Sequence, residues 1–360
     1  MKPRTSFIPD EPWPDDQGNH INAHGGGILF HEGVYYWFGE HKEDGDTAEV
    51  GVHVYSSTDL YNWTDRSIAL AVVEIPGHDI ESGCIIERPK VIFNVPTGKF
   101  VMWFHLELKN HGRKAARSGV AVADTPAGPY RFLHSLRPNP GVWPAEVTPE
   151  QIAALADGQK LIGTAFWGSP HPDRARMNFL GRDFHTGQMA KDMTLFVDED
   201  GTAYHIYSSE ENATLHIAQL SEDGCSHNGR WTRAFPYLWH EAPAVFKHAG
   251  RYWMLSSHCT GWNPNTARAS VADSIWGPWH DIGNPCVGPS PTGRLGPELT
   301  FGAQSTYLLP VTGKPGAFIA MFDTWRPEAH RTGGYIWLPI RFTNDRFTIE
   351  WHDEWDLSAF

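Results

Sequence analysis

The chain has 360 residues, which is long enough to bury a large core and exceeds the usual size of one domain unless the fold is built from repeats. Its 42 acidic and 29 basic residues give a net charge of −13, which argues against a surface that follows nucleic acid phosphates. No apolar segment approaches the roughly 18 residues of a membrane span, and the N-terminus lacks the apolar core of a signal peptide. We therefore expect neither nucleic acid nor membrane as a partner. The expected location is cytoplasmic for the sequence as written, or secreted or periplasmic if a leader has been removed.

One unit of two strands recurs along the chain: a short apolar strand, a turn with Gly, and a second strand rich in aromatic residues. In chain order the copies are "GGGILFHEGVYYWFGEH", "RPKVIFNVPTGKFVMWFHLE", "DMTLFVDEDGTAYHIYSSEE", "PAVFKHAGRYWMLSSH" and "STYLLPVTGKPGAFIAMFDTW". A second pair of strands follows each copy, as in "VYSSTDLYNWTD" and "ASVADSIWGPWHD". Two hairpins make a four-stranded sheet, and five such sheets predict an all-β chain folded as one five-bladed β-propeller over residues 1–360. The alternative, a pair of β-sandwich domains, would need a linker or a composition shift near the middle of the chain, and the sequence shows neither.

One stretch interrupts the repeat. The hairpin glycines recur at intervals of 49 to 66 residues, except for one interval of 103 residues. We interpret residues 133–190 as an insertion within or after the second blade, with "TPEQIAALAD" as a short helix capped by Thr148. Its loops carry Trp143 and Trp167, which either wall one side of a binding pocket or belong to a blade extension or a dimer contact. We make no prediction of the oligomeric state.

The first strand of each propeller blade lines the central channel, so a polar residue that begins this strand faces the pocket at one mouth. The sequence has one such residue per blade: His24, Glu87, Asp192, Glu241 and Gln304. Clustered carboxylates in apolar surroundings raise the pKa of one acid and leave another ionised, which is how a glycosidase obtains an acid at neutral pH. The set therefore favours cleavage of a glycosidic bond. For each residue taken alone, a hydrogen bond to a neighbouring loop is the structural alternative.

Four further residues are candidates for contact with substrate. Glu40 and Glu210 end the second strands of their hairpins, from which their side chains can reach the same pocket. Trp262 and Trp325 are candidates because flat aromatic side chains form stacking surfaces for sugars. By contrast, the stretch "HKEDGDTA", residues 41–48, is typical of a solvated loop.

Neither the cysteines nor the histidines form a metal-binding motif. The 4 cysteines share no short paired spacing, and the 20 histidines include no i, i+4 pair in a plausible helix. We therefore predict no catalytic metal site and no required cofactor. A single structural ion at the channel centre, held by His258 or by water, is compatible with the sequence.

Several long motifs together resemble glycoside hydrolase family 43. They are "NAHGGGILFHEGVYYWFGEH", "IIERPKVIF", "DMTLFVDEDGTAYHIYSSEENATLHIAQLSED", "EAPAVFKHAGRYWMLSSHCTGWNPN", "GAQSTYLLPV" and "YIWLPIRF". The resemblance runs from about residue 18 to the C-terminus. It is strongest to the branch that contains exo-β-1,3-galactanases and related galactosidase, galactofuranosidase and arabinofuranosidase enzymes.

The resemblance implies an inverting mechanism and assigns roles to four residues. Glu241 in "HEAPAVF" matches the catalytic acid, and Asp192 matches the Asp that tunes the pKa of that acid and orients it. The family's Asp base is absent from "INAHGGGIL", as in the galactanase branch, where a Gln is thought to replace it as an imidic acid. Gln304 in "GAQSTY" matches that Gln, with water positioning as the alternative role. Glu87 matches a Glu that binds sugar hydroxyls.

Three functional hypotheses follow. The preferred one is an exo-acting, inverting glycoside hydrolase that releases terminal galactose from β-1,3-galactan or arabinogalactan-type glycans. The second is an α-L-arabinofuranosidase or β-D-galactofuranosidase of the same family, with a pocket reshaped by the insertion. The third is a carbohydrate-binding propeller without activity, against which the presence of both Glu241 and Asp192 argues. In all three the partner is an oligosaccharide or polysaccharide.

Overall fold

Strands form wherever the sequence alternates apolar and polar residues over a short segment, and tight turns set how these strands pair. The computed structural model describes residues 3–156, 178–343 and 345–360. In the described residues, five antiparallel sheets stand as blades around a central channel, which confirms the predicted five-bladed β-propeller. The alternative of two β-sandwich domains is therefore wrong.

Each of the first four blades consists of four consecutive antiparallel strands. Blade 1 contains β1 His24–His31, β2 Val34–His41, β3 Gly51–Ser57 and β4 Thr64–Ala71. Blade 2 contains β5 Ile85–Asn94, β6 Lys99–Glu107, β7 Arg117–Ala123 and β8 Arg131–Leu136. Blade 3 contains β9 Met193–Val197, β10 Ala203–Ser209, β11 Thr214–Leu220 and β12 His227–Ala234. Blade 4 contains β13 Glu241–His248, β14 Arg251–Ser257, β15 Arg268–Ala272 and β16 His280–Gly283.

The fifth blade has an additional strand that the sequence pattern did not predict. It contains β17 Cys286–Val287, β18 Gln304–Pro310, β19 Phe318–Thr324, β20 Gly334–Thr343 and β21 Arg346–Glu350. Strand β17 precedes the blade in the chain and pairs in parallel with β21 at the outer edge. Short 3₁₀ segments lie at Pro297–Gly302, His330–Thr332 and Leu357–Ala359.

The predicted hairpins place the first strand of every blade on the channel. Strands β1, β5, β9, β13 and β18 line it and contact one another in a ring. In blade 1 the turn residues Glu32 and Gly33 both have positive φ, 46° and 83°, and Ala249 and Gly250 in blade 4 have φ of 50° and 75°. Two consecutive positive φ values describe the tight turn whose twist matches an antiparallel pair, and Gly adopts them without strain.

The apolar core is divided among the blades. One cluster of buried side chains fills the space between each pair of adjacent blades, including the pair formed by blades 5 and 1. At this last junction the N-terminal segment takes part: Phe7 pairs through its backbone with Trp355 and stacks on its ring at 4.5 Å. Trp13 packs edge-on against Trp37 of blade 1 and Trp337 of blade 5. Aromatic packing thus joins the ends of the ring.

The described part of the chain between β8 and β9 contains two helices, α1 Pro149–Ala156 and α2 Phe179–Asp183. Thr148 caps α1 as predicted: its Oγ1 accepts from the Gln151 N–H at 3.3 Å, and its own N–H donates to the Gln151 side chain at 2.9 Å. None of the described helices is long and apolar enough to cross a membrane.

Candidate active site

Two inner strands, β5 and β13, begin with a distortion that turns their leading side chains toward one mouth of the channel. Pairing between β5 and β6 shifts register directly after Glu87, and pairing between β13 and β14 shifts directly after Glu241. The residues that follow, Arg88 and Ala242, have φ of 52° and 51°. A bulge of this kind re-aims a side chain at the end of a strand, and the positive φ of a residue other than Gly stores strain there.

These leading residues meet in a pocket of about 270 Å³ at this mouth. Its lining contains seven of the nine predicted site residues: Glu40, Glu87, Asp192, Glu241, Trp262, Gln304 and Trp325. It also contains Asp46, Arg88, Arg113 and Gly261, which the sequence analysis had not selected. Every blade therefore contributes to one cavity.

Glu241, the first residue of β13, is 2 % exposed. Its Oε1 accepts a hydrogen bond from the Asn212 side-chain amide at 2.9 Å. Burial, followed by the negative charge of Asp192, raises the pKa of Glu241 to about 8. This carboxyl group therefore retains its proton at neutral pH, as a general acid requires.

Asp192 lies directly before β9 and is held beside Glu241 by two contacts. Its Oδ2 accepts from Arg88 Nε at 3.0 Å and from the backbone N–H of Ala242, the residue after the acid, at 3.1 Å. The second contact couples the position of Asp192 to the strained backbone that carries Glu241.

The amide of Gln304, the first residue of β18, has a defined orientation. Its Oε1 accepts from Arg88 Nη2 at 2.6 Å and from Trp325 Nε1 at 2.9 Å, while its Nε2 donates to Ser257 Oγ at 2.9 Å. Because guanidinium and indole N–H groups are donors only, the group facing them is the amide oxygen. Arg88 therefore links Asp192 with Gln304 across the pocket.

Glu87 lies in a network of cations. Arg113 donates to both of its oxygens, at 2.7 and 2.8 Å, and His105 Nδ1 lies 2.8 Å from Oε2. His105 also contacts Glu107 at 3.0 Å. Burial opposes ionisation of Glu87, but Arg113 and His105 outweigh it and hold the pKa of Glu87 well below its usual range. Glu87 is therefore a permanently ionised acceptor on the pocket wall.

The sequence suggested that residues 41–48 form a solvated loop, but part of this stretch is buried. Lys42 is 3 % exposed and pairs with Glu40 at 2.8 Å. Asp46 lines the pocket and accepts from Arg113 at 2.8 Å. The loop folds inward because buried carboxylates and Arg113 require partners of opposite charge.

Two predicted substrate contacts are corrected by the structure, because His24 and Glu210 do not reach the pocket. His24 is fully buried and stacks on Tyr335 at 5.4 Å. Glu210 is also fully buried and pairs with Arg233 of β12. Strand register explains why Glu40 reaches the pocket and Glu210 does not. Glu40 lies directly opposite the leading residue of its blade, His24. Glu210 lies two residues beyond the residue of β10 that is opposite Asp192.

Trp143 of the insertion does not line the pocket. Trp143 stacks on Phe184 at 4.2 Å and packs against the cluster between blades 2 and 3. Trp167 lies outside the described residues. The described part of the insertion thus packs on the blades, as in the alternative of a blade extension.

Several side chains that shape the site were not predicted, because the prediction selected carboxylates and not the side chains that hydrogen-bond to them. Arg88 directly follows Glu87 in "ERPKV" and contacts both Asp192 and Gln304. The rule that buried charges are paired could have selected it. Nothing in the sequence marks Asn212 or Arg113, since their contacts join different blades or loops.

The described side chains offer one candidate group of metal ligands. Among the described residues, one group has ligand atoms within 4.8 Å of one another: Glu87, His105 and Asp192. Both carboxylates already accept hydrogen bonds from arginines. His258, named as a ligand for a central ion, is exposed on the loop after β14. The central ion remains a prediction.

Comparisons with known proteins agree with this geometry. The family model for glycosyl hydrolases family 43 matches residues 178–292. The chain is 52 % identical to the GH43 β-1,3-galactosidase BT3683, solved with galactodeoxynojirimycin, over 98 % of this chain and 100 % of that one, with a TM-score of 0.89. No curated protein sequence matches.

Two exo-β-1,3-galactanases are more distant. The enzyme from Phanerochaete chrysosporium, solved with β-1,3-galactotriose, is 30 % identical, covering 98 % of this chain and 68 % of that one, with a TM-score of 0.77. The enzyme from Clostridium thermocellum is also 30 % identical, covering 97 % and 66 %, with a TM-score of 0.77. Identity of this extent over nearly the whole chain confirms the resemblance seen in the sequence: the protein is a glycoside hydrolase and belongs to family 43, an inverting family.

Proposed function

We propose that the protein is an exo-acting β-1,3-galactosidase that releases terminal galactose from β-1,3-galactan or arabinogalactan-type glycans with inversion. The observation that carries this proposal is the buried Glu241, whose pKa is raised to about 8, beside Asp192 and Gln304 in one pocket. A pocket of about 270 Å³ lies slightly below the usual range of about 300 to 1,000 Å³ for ligand sites, which suits a chain end. The names of the solved relatives, a β-1,3-galactosidase and exo-β-1,3-galactanases, support galactose as the sugar.

Glu241 serves as the general acid in this proposal. Its pKa of about 8 keeps the proton on the carboxyl group until the glycosidic oxygen departs. Asp192 contributes in two ways: its charge raises the pKa of Glu241, and its bond to the Ala242 N–H fixes the backbone next to the acid.

For Gln304, the hydrogen bonds favour water positioning over action as a base. The imidic acid tautomer carries its proton on oxygen, and the oxygen of Gln304 faces Arg88 and Trp325, which can only donate. We infer that Gln304 stays an amide. One N–H of Nε2 goes to Ser257, and the second N–H can orient the attacking water, which releases its extra proton to solvent once the new C–O bond has formed.

The remaining pocket residues suit recognition of a sugar. Glu87 and Glu40 offer carboxylate oxygens to hydroxyl groups, and charge-assisted hydrogen bonds of this type are the stronger class. Trp262 and Trp325 lie edge to face with ring centroids 5.4 Å apart, and Trp262 is 37 % exposed. They supply an apolar surface against which the carbon-bound hydrogens of a pyranose can pack.

Time-resolved ¹H NMR of purified protein with β-1,3-galactotriose tests the proposal. We expect galactose and galactobiose as the first products, with the galactose released from the non-reducing end appearing first as its α anomer. Glu241→Gln should release both products at least about 100-fold more slowly. A β anomer appearing first would overturn inversion, and absence of release would overturn the galactosidase proposal. Arabinofuranosides and galactofuranosides, tested in parallel, would then decide between the furanosidase and binding-only alternatives.

A further inference from the structure

The turn between β10 and β11 has an unusual backbone. Three consecutive residues, Glu210, Glu211 and Asn212, have φ of 52°, 57° and 66°. Residues other than Gly rarely adopt this left-handed conformation even singly, although Asn tolerates it best. Such strain persists where surrounding contacts over-determine the backbone.

Buried charge holds the first residue of this turn. The Glu210 side chain is fully buried and accepts from Arg233 Nε and Nη2, both at 2.7 Å, while His216 Nε2 lies 2.9 Å away. Arg233 belongs to β12, the outermost strand of the same blade. Burial opposes ionisation of Glu210, but Arg233 and His216 outweigh it and lower its pKa to about 2. The carboxylate thus anchors the turn to its own blade.

The described part of the insertion packs on the outer side of the same turn. Phe179 of α2 lies in a buried cluster with Ala213, Trp239 and Cys259. Arg182, also of α2, pairs with Glu211. The backbone N–H of Trp239, two residues before Glu241, donates to the Ala213 carbonyl at 3.2 Å. The turn is therefore fastened to the segment that leads into the acid.

This arrangement places the side chain of Asn212 against Glu241. It is 5 % exposed, its carbonyl receives the Cys259 thiol at 3.7 Å, and its side-chain amide donates to Glu241 Oε1 at 2.9 Å. Asn212 is not part of the pocket lining, so any effect on the reaction passes through Glu241. An N–H donated to Oε1 leaves the acidic proton of a neutral Glu241 on Oε2.

We propose that Asn212 is a positioning residue for the general acid, presented by a strained turn that the Glu210–Arg233 pair and α2 hold in place. The turn sets which oxygen of Glu241 carries the transferable proton and where that oxygen points. Helix α2, the described part of the insertion that packs on this turn, thereby acquires a role in catalysis. This inference rests on the proposed role of Glu241 as the acid.

Leaving groups that differ in their need for a proton test the inference. Asn212→Ala and Asn212→Gly should each lose about 10-fold to 100-fold in kcat on β-1,3-galactobiose, whose leaving group must be protonated. On 2,4-dinitrophenyl β-galactoside, whose leaving group departs as an anion, both should stay within about 3-fold of wild type. The amide N–H stabilises ionised Glu241, so its removal should move the alkaline limb of the galactobiose pH profile upward.

Two comparisons separate the amide from the backbone. Gly adopts a positive φ without strain whereas Ala does not, so recovery of wild-type kcat in Asn212→Gly alone would overturn the inference. Equal losses on both substrates, or an unmoved alkaline limb, would also overturn it. Asn228→Ala, an exposed Asn on β12, serves as the matched control and should behave as wild type.

A third variant tests the Glu210–Arg233 ion pair that holds the turn. Glu210→Gln keeps the shape of the side chain but leaves Arg233 without a buried counter-charge, and should show the same dependence on the leaving group. If it does not fold, the Asn212 variants decide the question alone. Failure of the proposed function has a different signature: wild type would then release no galactose, or Glu241→Gln would show no dependence on the leaving group.

Discussion

Two walls of the pocket each carry a Glu side chain, but the two carboxyl groups differ in their chemistry. Glu87 on β5 and Glu241 on β13 both precede a bulge in an inner strand, and they are 7 % and 2 % exposed. Glu87 faces Arg113 and His105, and its pKa lies well below its usual range. Glu241 receives an uncharged amide and lies beside Asp192, and its pKa rises to about 8. Burial is common to both, so the partners decide which carboxylate binds and which one transfers a proton.

Arg88 acts on this difference in two directions, because its own charge lowers the pKa of Glu241 while its ion pair holds Asp192 beside the acid. Its guanidinium group pairs with Asp192 at 3.0 Å and donates to Gln304. The positive charge of Arg88 therefore compensates the negative charge of Asp192. Asp192 can then stay next to Glu241 and keep the proton on that residue. The following predictions test the contrast, from the largest expected effect to the smallest.

Removing the acid should have the largest effect. Glu241→Gln should lower kcat on β-1,3-galactobiose by about 100-fold to 10,000-fold, since an amide cannot donate the proton. Affinity for β-1,3-galactotriose, measured by calorimetry, should change little because the amide has nearly the same shape. Turnover close to that of wild type would rule out Glu241 as the acid.

Neutralising the opposite wall should affect binding more than proton transfer. Glu87→Gln should lower kcat/KM by about 10-fold to 100-fold, mainly through KM, because a charged acceptor for a hydroxyl group is lost. The loss should be similar for galactobiose and the dinitrophenyl galactoside, unlike that of Glu241→Gln. A loss restricted to galactobiose would assign Glu87 to proton transfer instead.

Removing the like charge beside the acid should shift the pH profile. In wild type, activity should fall as pH rises through about 8, where Glu241 loses its proton. Asp192→Asn removes the charge that raises this pKa, so the alkaline limb should move to lower pH. The kcat profile on galactobiose measures this shift, and an upward movement or none would contradict the role of Asp192.

The two walls should also respond oppositely in stability. Glu241 has a folded-state pKa of about 8 against an ordinary value of 4.5, so folding takes up a proton between these pH values and stability falls as pH rises. Glu241→Gln should therefore raise the melting temperature at pH 7 by a few degrees.

The pKa of Glu87 is lowered, so ionised Glu87 contributes stability above its unfolded pKa, and that contribution falls as pH drops through the folded-state pKa. Glu87→Gln should therefore lower the melting temperature at pH 7. Calorimetric scans of both variants check the two signs.

Much of this protein could be predicted from period-2 patterning and turn chemistry. The five hairpins, the channel-lining strands and the polar residue at the head of each follow from alternation, because a strand that alternates has its buried face set by the sequence. Glu241, Asp192 and Gln304 lie in the same pocket for this reason. The short strand β17 and the packing of Phe7 and Trp13 between blades 5 and 1 were not predictable, since they depend on contacts between distant parts of the chain.

The sequence by itself determined which blades exist and which residues stand at the head of each inner strand. Tertiary structure decided the chemistry of those residues. Glu40 and Glu210 are alike in sequence, both ending a second strand, yet a difference of two positions in register sends one to the pocket and the other to Arg233. The pKa of a buried carboxylate depends on charges a few ångströms away, and here Arg113, Arg88 and Asn212 come from other strands or loops. Alternation sets the direction of a side chain, but only the assembled blades supply its partners.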